Sequence, residues 1–349
     1  MTQRAGSTRP VVPLSRRKLM VGGAAAVGFK ALGPGSVTAG GLWDSAVQRA
    51  GALEQLRALV IAKDGEIVFA EAFRGPALTR AVNVKSVSKT IVAAVTGAAI
   101  DRGTVPGITA TLGEVAPDLI PTSADPRVAG LTLEHLVTMQ AGLERTSGAN
   151  YGPWVASRNW VTDALSRPFV AEPGRGMLYS TGSFHILGAA LSRATGESLL
   201  SLTRTWLGQP LGMDVPAWTR DPQGFFLGGN EMAFAPLDLI RFAEMTRLGG
   251  TWQDRRVLSK DWLRAAAEPR TRSNFSGLAY GYGWFLGQAD RTDYLMARGF
   301  GGQVVVVAPE RGLSLVITSD PTRPARSDGH FGDLRRLIEH DLLPAARAV

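Results

Sequence analysis

The chain has 349 residues, 45% of them hydrophobic, 19% charged and none of them cysteine. That composition suits one large core or two closely packed lobes and excludes a disordered chain, while the missing thiols exclude cysteine catalysis, cysteine-ligated zinc and disulfide staples. The formal charge of +8 comes mostly from Arg4, Arg9, Arg16, Arg17, Lys18 and Lys30; without them 32 basic groups face 30 acidic ones, so no nucleic-acid partner is expected, because that needs a basic footprint on the folded domain.

In chain order, SRRKLM (15–20) is followed by the weakly apolar run VGGAAAVGF, by Lys30 and by the small-residue stretch SVTAG. A basic start, an apolar middle and a small-residue end are the parts of a cleavable export signal. The pair Arg16-Arg17 resembles a twin-arginine signal, which hands folded proteins to the twin-arginine export machinery. Residues 1–39 are therefore expected to form the signal, cut near Ala39, and residues 40–349 the folded domain of a periplasmic or extracellular protein. The apolar run is far shorter than the ~20 residues that span a bilayer, so no stable membrane insertion is expected.

LRALVIAKDGEIVFAEAF (56–73) carries two β-rich arms around Asp64-Gly65 and reads as a hairpin. From about Ser86 to Gly250 the pattern is mostly helical, with Pro/Gly loops. DYLMARGFGGQVVVVAPERGLSLVITSD (293–320) alternates β-branched residues around a turn at Pro309 to Gly312, giving two more strands, and the amphipathic FGDLRRLIEHDLL reads as a last helix. Strands at both ends with helices between them imply an α+β fold in which the termini pair into one antiparallel sheet and the middle forms a helical lobe, with a cleft between.

VNVKSVSKTIVAAVTGAAI (82–100) sets two serines and two lysines at the mouth of an apolar helix. With a helix start near Ser86, Ser86 and Lys89 project from one face. A serine hydroxyl is a poor nucleophile until a base takes its proton, and lysine serves only where burial or a neighbouring cation lowers its pKa. The apolar run Ile91 to Ile100 offers that burial, and the helix N-terminus favours negative charge developing on Ser86. Ser88 and Lys85 fall on other faces. The same spacing also fits an ordinary N-cap above a solvated lysine, so it does not decide alone.

A second element, PGRGMLYSTGSFHILGAALSRATG (173–196), delivers Tyr179 from a Pro/Gly loop just before a helix; its phenol can relay protons if nearby ammonium groups lower its pKa, or simply cap the helical lobe. In a third, ARGFGGQVVVV (297–307), three glycines open a strand and let a backbone or an acyl group come close; backbone N–H groups there can face that of Ser86 across an oxyanion, unless the glycines only form a bulge.

These three elements, in this order and at these separations, resemble the serine β-lactamase and penicillin-recognising family, in particular its class C branch with its esterases and amide hydrolases. LTLEHLVTMQAGL (131–143), GGNEMAFAPLDLIRFAEMTRLGGTW (228–252) and YGYGWFL (280–286) look like that branch's structural signatures, and NWVTDALSRPFVAEPGRG (159–176) is similar to its esterases and 6-aminohexanoate-dimer hydrolases. The resemblance implies a β-lactamase/transpeptidase-like fold, an antiparallel sheet flanked by terminal helices and packed on an all-helical lobe, with Ser86 as acylated nucleophile, Lys89 as its base, Tyr179 as the tyrosine of the YxN motif that shuttles a proton to the leaving group, and the amides of Ser86 and Gln303 as the oxyanion hole.

Two departures bear on the substrate. Thr181 stands where the YxN asparagine would, and Phe300, Gly301 and Gly302 where β-lactamases carry KTG, so position 300 offers no charge to a β-lactam carboxylate. Acyl transfer keeps all three chemical groups, and the expected reaction is cleavage of a small-molecule ester or unstrained amide. The alternatives are a D-alanyl-D-alanine carboxypeptidase or β-lactamase-like enzyme, and a non-catalytic ligand-binding relative. Trp154, Trp160, Tyr282, Trp284 and Phe300 are candidates for an apolar acyl pocket, although most large aromatics in a chain of this size are core. His135 and His185 fall in helical stretches, His330 in a loop and His340 in the last helix, without HExxH spacing, and the chain has no GxSxG, GxxxxGK or GxGxxG motif; neither a metal nor another cofactor is expected.

Overall fold

The structure, a computed structural model, describes residues 41–347. The expected export signal lies outside the described residues. Among those residues, an antiparallel eight-stranded sheet runs in the order β2-β1-β12-β11-β10-β9-β8-β7. Its strands are β1 (Leu56–Lys63), β2 (Glu66–Ala72), β7 (Thr271–Arg272), β8 (Ala279–Tyr280), β9 (Phe285–Ala289), β10 (Thr292–Gly299), β11 (Gln303–Ala308) and β12 (Leu313–Ser319). Two-residue pairs complete the list: β3 (Val82–Asn83) with β4 (Ala233–Phe234), and β5 (Thr251–Trp252) with β6 (Arg255–Arg256).

The expected hairpin is present, turning at Asp64 and Gly65 in the left-handed region, with φ of 49° and 91°. β1 pairs with β12, so strands from early and late in the sequence lie side by side within the sheet. The run 293–320 holds three strands, not two: Gly301 and Gly302, with φ of 81° and 97°, turn the chain between β10 and β11. Those glycines therefore close one strand and begin the next. β7, β8 and β9 escape sequence reading because they are two to five residues long, too short for alternation to show.

β11 and β12 are buried at every position, as befits central strands covered on both faces. Each of the four valines Val304 to Val307 is at most 1% exposed and stabilises the fold by roughly 1.5–3 kcal/mol relative to an exposed side chain. On one face lie α1 (Asp44–Ala52) and the helical segment that begins at His330, which contact each other. His330 opens this helix rather than sitting in a loop. On the other face lie α2 (Val87–Asp101) and the helix Pro236–Arg247.

α2 is buried from Val87 to Ala99, as expected for a helix whose sequence is apolar all round. Gly97 allows this: a Cβ there would stand 2.5 Å from the Trp262 ring. Among the described residues no helix is long and apolar enough to cross a membrane.

Candidate active site

α2 begins at Val87, with Ser86 as its N-cap residue, yet the Ser86 side chain makes no capping bond. Its hydroxyl is thereby left for another partner, and Lys89 Nζ lies 3.0 Å away. Lys89 is 2% exposed, which disposes of the solvated-lysine alternative. Burial alone draws its pKa down from 10.5 to about 7, because an ammonium loses its hydration there and, among the described residues, no carboxylate pairs with it. Its other contacts are the Gly229 carbonyl at 2.6 Å and Thr181 Oγ1 at 3.2 Å.

The backbone just before Ser86 is bent into an uncommon shape. Lys85 has φ of 52°, and its N–H donates to Asn83 Oδ1 at 2.8 Å. On the facing loop Glu231 has φ of 66°, and its carboxylate holds Lys85 Nζ at 3.0 Å and Asn83 Nδ2 at 2.5 Å. Met232 N donates to Ser88 Oγ at 3.2 Å, and β3 pairs with β4 directly beyond. Lys85 and Ser88 thus hold the segment 229–232 against the start of α2, which fixes the Gly229 carbonyl over Lys89. From the other side Gly228 N donates to His185 Nδ1 at 3.4 Å, while His185 Nε2 meets buried Asp221 at 3.0 Å.

Tyr179 arrives from the loop before the helix Thr181–Thr195, and its phenol stands near enough to the Ser86 hydroxyl to be influenced by it. Lys89 Nζ lies 5.0 Å from the centre of its ring. The phenol pKa moves upward, contrary to the expectation that cations would lower it. Desolvation dominates, and the Ser86 hydroxyl and the charge of Arg298 only partly offset it. Thr181 Oγ1 is bound between Lys89 and Ser147 Oγ, the latter at 3.0 Å.

The third element approaches in a different register from the one expected. Gly299 lies against the nucleophile: a Cβ on it would stand 2.3 Å from the Val84 carbonyl and 3.1 Å from Ser86 N. β9 pairs with β10 only as far as Met296, so Ala297 to Gly299 have no strand on that side. Gln303 is Gly299's ladder partner in β11, on the side away from that free edge, and its side-chain amide is bound to Ser319, donating at 2.8 Å and accepting at 3.1 Å. Gly301 and Gly302 also face elsewhere. The first abuts Asp320 and accepts from Gln55 Nε2 at 3.1 Å, and the second abuts His330.

The aromatics divide in the same way. Trp154 and Trp160 form a small core cluster around His185, and Tyr282 and Trp284 are buried in the main core. Phe300 is 53% exposed beside Gly299. Phe275, which sequence reading missed, is 45% exposed and meets the Tyr179 ring edge-on at 5.4 Å between centres. At the far end of β10 to β12, a depression of about 300 Å³ is lined by Asp290, Arg291, Thr292, Glu310, Arg311 and Arg347 and offers no activated nucleophile. Among the described residues no three His, Asp or Glu side chains gather where they would hold a metal ion.

An antiparallel sheet and a helical lobe, with a serine at a helix N-terminus facing a buried lysine one turn on, make up the architecture of a serine hydrolase. The chain belongs to the Beta-lactamase family, whose sequence profile matches residues 47–338. It is 28% identical over 190 residues to Esterase EstB of Burkholderia gladioli, a match covering 48% of each chain, so it spans about half the length of that relative. Its fold superposes on a proposed 6-aminohexanoate-dimer hydrolase from Bacillus anthracis with a TM-score of 0.71 at 15% identity, covering 88% of this chain and 81% of the other. EstCE1, a hydrolase with promiscuous acyltransferase activity, superposes with a TM-score of 0.69 at 18% identity, covering 87% and 96%.

Proposed function

We propose that the protein cleaves an ester or an unstrained amide through a covalent acyl-enzyme on Ser86, with Lys89 and Tyr179 moving the protons. The observation that carries this reading is the 3.0 Å contact between Ser86 Oγ and a buried Lys89 amine whose pKa is about 7. Near neutral pH a large share of that amine is uncharged. A neutral amine has two N–H groups and one lone pair; Gly229 O and Thr181 Oγ1 take the hydrogens, which leaves the lone pair for the Ser86 hydroxyl.

As Ser86 Oγ bonds to the substrate carbonyl carbon, its proton passes to Lys89 and the carbonyl electrons shift onto oxygen. The amides of Ser86 and Phe300, rather than Gln303, receive that oxyanion in our reading. Gly302 N–H donates to Gly299 O at 3.2 Å, which turns the Gly299 carbonyl into the hairpin. Across a trans peptide the following N–H points the opposite way, toward the edge that β9 has left and beside which Ser86 stands.

Collapse of the intermediate expels the leaving oxygen or nitrogen, which takes a proton from Tyr179, and the Lys89 ammonium returns its proton to the phenolate. A raised pKa keeps Tyr179 protonated at rest, so it serves first as an acid. For deacylation, water gives its proton to the Tyr179–Lys89 pair as its oxygen attacks the acyl carbon, and Ser86 Oγ leaves with a proton in return. The esterase name of the Burkholderia relative supports an ester substrate.

A fluorophosphonate probe followed by peptide mass mapping tests the acyl-enzyme: the expected adduct is on Ser86, and a folded protein that stays unlabelled points to a ligand-binding relative. Turnover of short esters and linear amides over a chromogenic cephalosporin and D-Ala-D-Ala peptides supports the substrate class; the reverse order points to the carboxypeptidase or β-lactamase alternative. We further propose export by the twin-arginine route. A fusion whose Arg16 and Arg17 are both changed to lysine is expected to remain in the cytoplasm, and unchanged export would refute this.

A further inference from the structure

Among the described residues only four large hydrophobic side chains are exposed, Leu42, Val170, Phe275 and Phe300, and two of the four belong to the site: Phe275 meets Tyr179, and Phe300 follows Gly299, which abuts Ser86. Phe275 lies in the turn between β7 and β8. That turn is closed by its own hydrogen bonds: Ser273 N donates to Leu278 O at 2.9 Å, Gly277 N to Ser273 O at 2.9 Å, and Ser276 N to Ser273 Oγ at 3.2 Å. Ser327 Oγ adds a tie to the Phe275 carbonyl at 3.3 Å. The underside of the ring rests on Tyr179, on Phe285 at 5.9 Å and beside the Arg298 guanidinium at 5.0 Å. The ring is thus held in place with nearly half its surface wet, so an incoming apolar group gains the burial without the entropy cost of ordering it.

Position then fixes which part of a substrate it meets. The proposed mechanism has Tyr179 protonate the departing atom, and Phe275 is the exposed aromatic in contact with Tyr179. The Arg298 guanidinium beside the ring is covered by aromatic faces, standing 3.4 Å from the centre of the Phe331 ring with Phe275 and Phe285 on its flanks. We propose that Phe275 is the specificity-determining residue for the leaving group, selecting esters or amides whose departing group is apolar and flat, such as benzyl or aryl, over small or anionic ones.

The inference rests on the acyl-enzyme reading, and the experiment separates the two. Methyl, benzyl and carboxybenzyl esters of one acyl group are compared in wild type, Phe275→Ala and Phe275→Leu, with Ser86 labelling by a small fluorophosphonate measured in parallel. Because kcat/KM reports steps up to acylation, in which the leaving group is still present, and deacylation is common to all three esters, the effect belongs in kcat/KM.

Wild type is expected to prefer benzyl. Phe275→Ala should narrow the benzyl-to-methyl ratio by about tenfold, in the range one lost apolar contact gives, and Phe275→Leu should recover part of it. Equal losses on all three esters would mean that the ring only supports the fold, and an unchanged ratio that it touches no substrate. Preference for the carboxybenzyl ester would assign the subsite to Arg298. Each of these outcomes overturns the proposal while normal Ser86 labelling leaves the acyl-enzyme intact, whereas an unlabelled wild type sinks the acyl-enzyme itself.

Discussion

Replacing Lys89 by methionine tests the site where function and stability pull apart. The drop from 10.5 to about 7 corresponds to about 5 kcal/mol between the two protonation states. Because the folded-state value is the lower one, the unfolded chain binds more protons between about pH 7 and 10.5, and stability rises with pH across that window. Between pH 7 and 9 the Lys89 contribution should improve by about 2 kcal/mol.

Lys89→Met removes this dependence and fills the same space with an apolar chain. It also deprives the Gly229 carbonyl of a donor, at roughly 1–3 kcal/mol for a buried group left unsatisfied, while Thr181 keeps its bond to Ser147. The variant should therefore match or exceed wild type in stability at pH 7 and lose about 2 kcal/mol of that standing by pH 9. Acylation should slow by at least on the order of 10², the usual contribution of a positioned base. Urea unfolding of both proteins at the two pH values gives the stability gap, and fluorophosphonate labelling gives the rate. A gap that stays constant from pH 7 to 9, or near-normal labelling of the variant, would refute the reasoning.

In wild type the same titration should give kcat/KM an acid limb that rises through about pH 7; a limb near pH 5, where carboxylates titrate, would assign the base elsewhere. Tyr179→Phe keeps the ring and removes the acid. It should slow alkyl esters and amides by about 10²–10⁴ but p-nitrophenyl esters far less, since nitrophenolate departs without a proton; equal losses would remove Tyr179 from that role. Gly299→Ala drives a methyl group into the Val84 carbonyl, so Ser86 labelling should be lost even where circular dichroism shows a folded protein. A fully active variant would show that β10 does not need to approach so closely.

Helical spacing made Ser86 and Lys89 candidates and a Pro/Gly loop drew notice to Tyr179, but it was the resemblance of three elements together to a known family that singled them out. The hairpin was plain, since Asp-Gly marks such a turn. The Gly229 carbonyl was not legible, because a backbone acceptor has no residue type to announce it. Nor was the identity of the glycine that meets Ser86: with Gly299, Gly301 and Gly302 so close together, the register depends on where the hairpin turns. Phe275 went unnoticed as one phenylalanine in a polar turn, while the tryptophans suggested for the acyl pocket are consumed by packing around His185 and in the core. Position 181 is legible as a departure from the family pattern, yet the physical use of its hydroxyl, as an acceptor for Lys89, appears only once residues 89, 147 and 181 stand side by side.

The pairing of β1 with β12 has a bearing on how the protein is made. β12 is made well after β1, so this part of the sheet cannot close until synthesis has passed Ser319. A chain arrested before Leu313 would present two bare strand edges, on β1 and β11, to any neighbour. Closure thus waits on β12, and products truncated before it should be lost to aggregation rather than accumulate as partly active fragments.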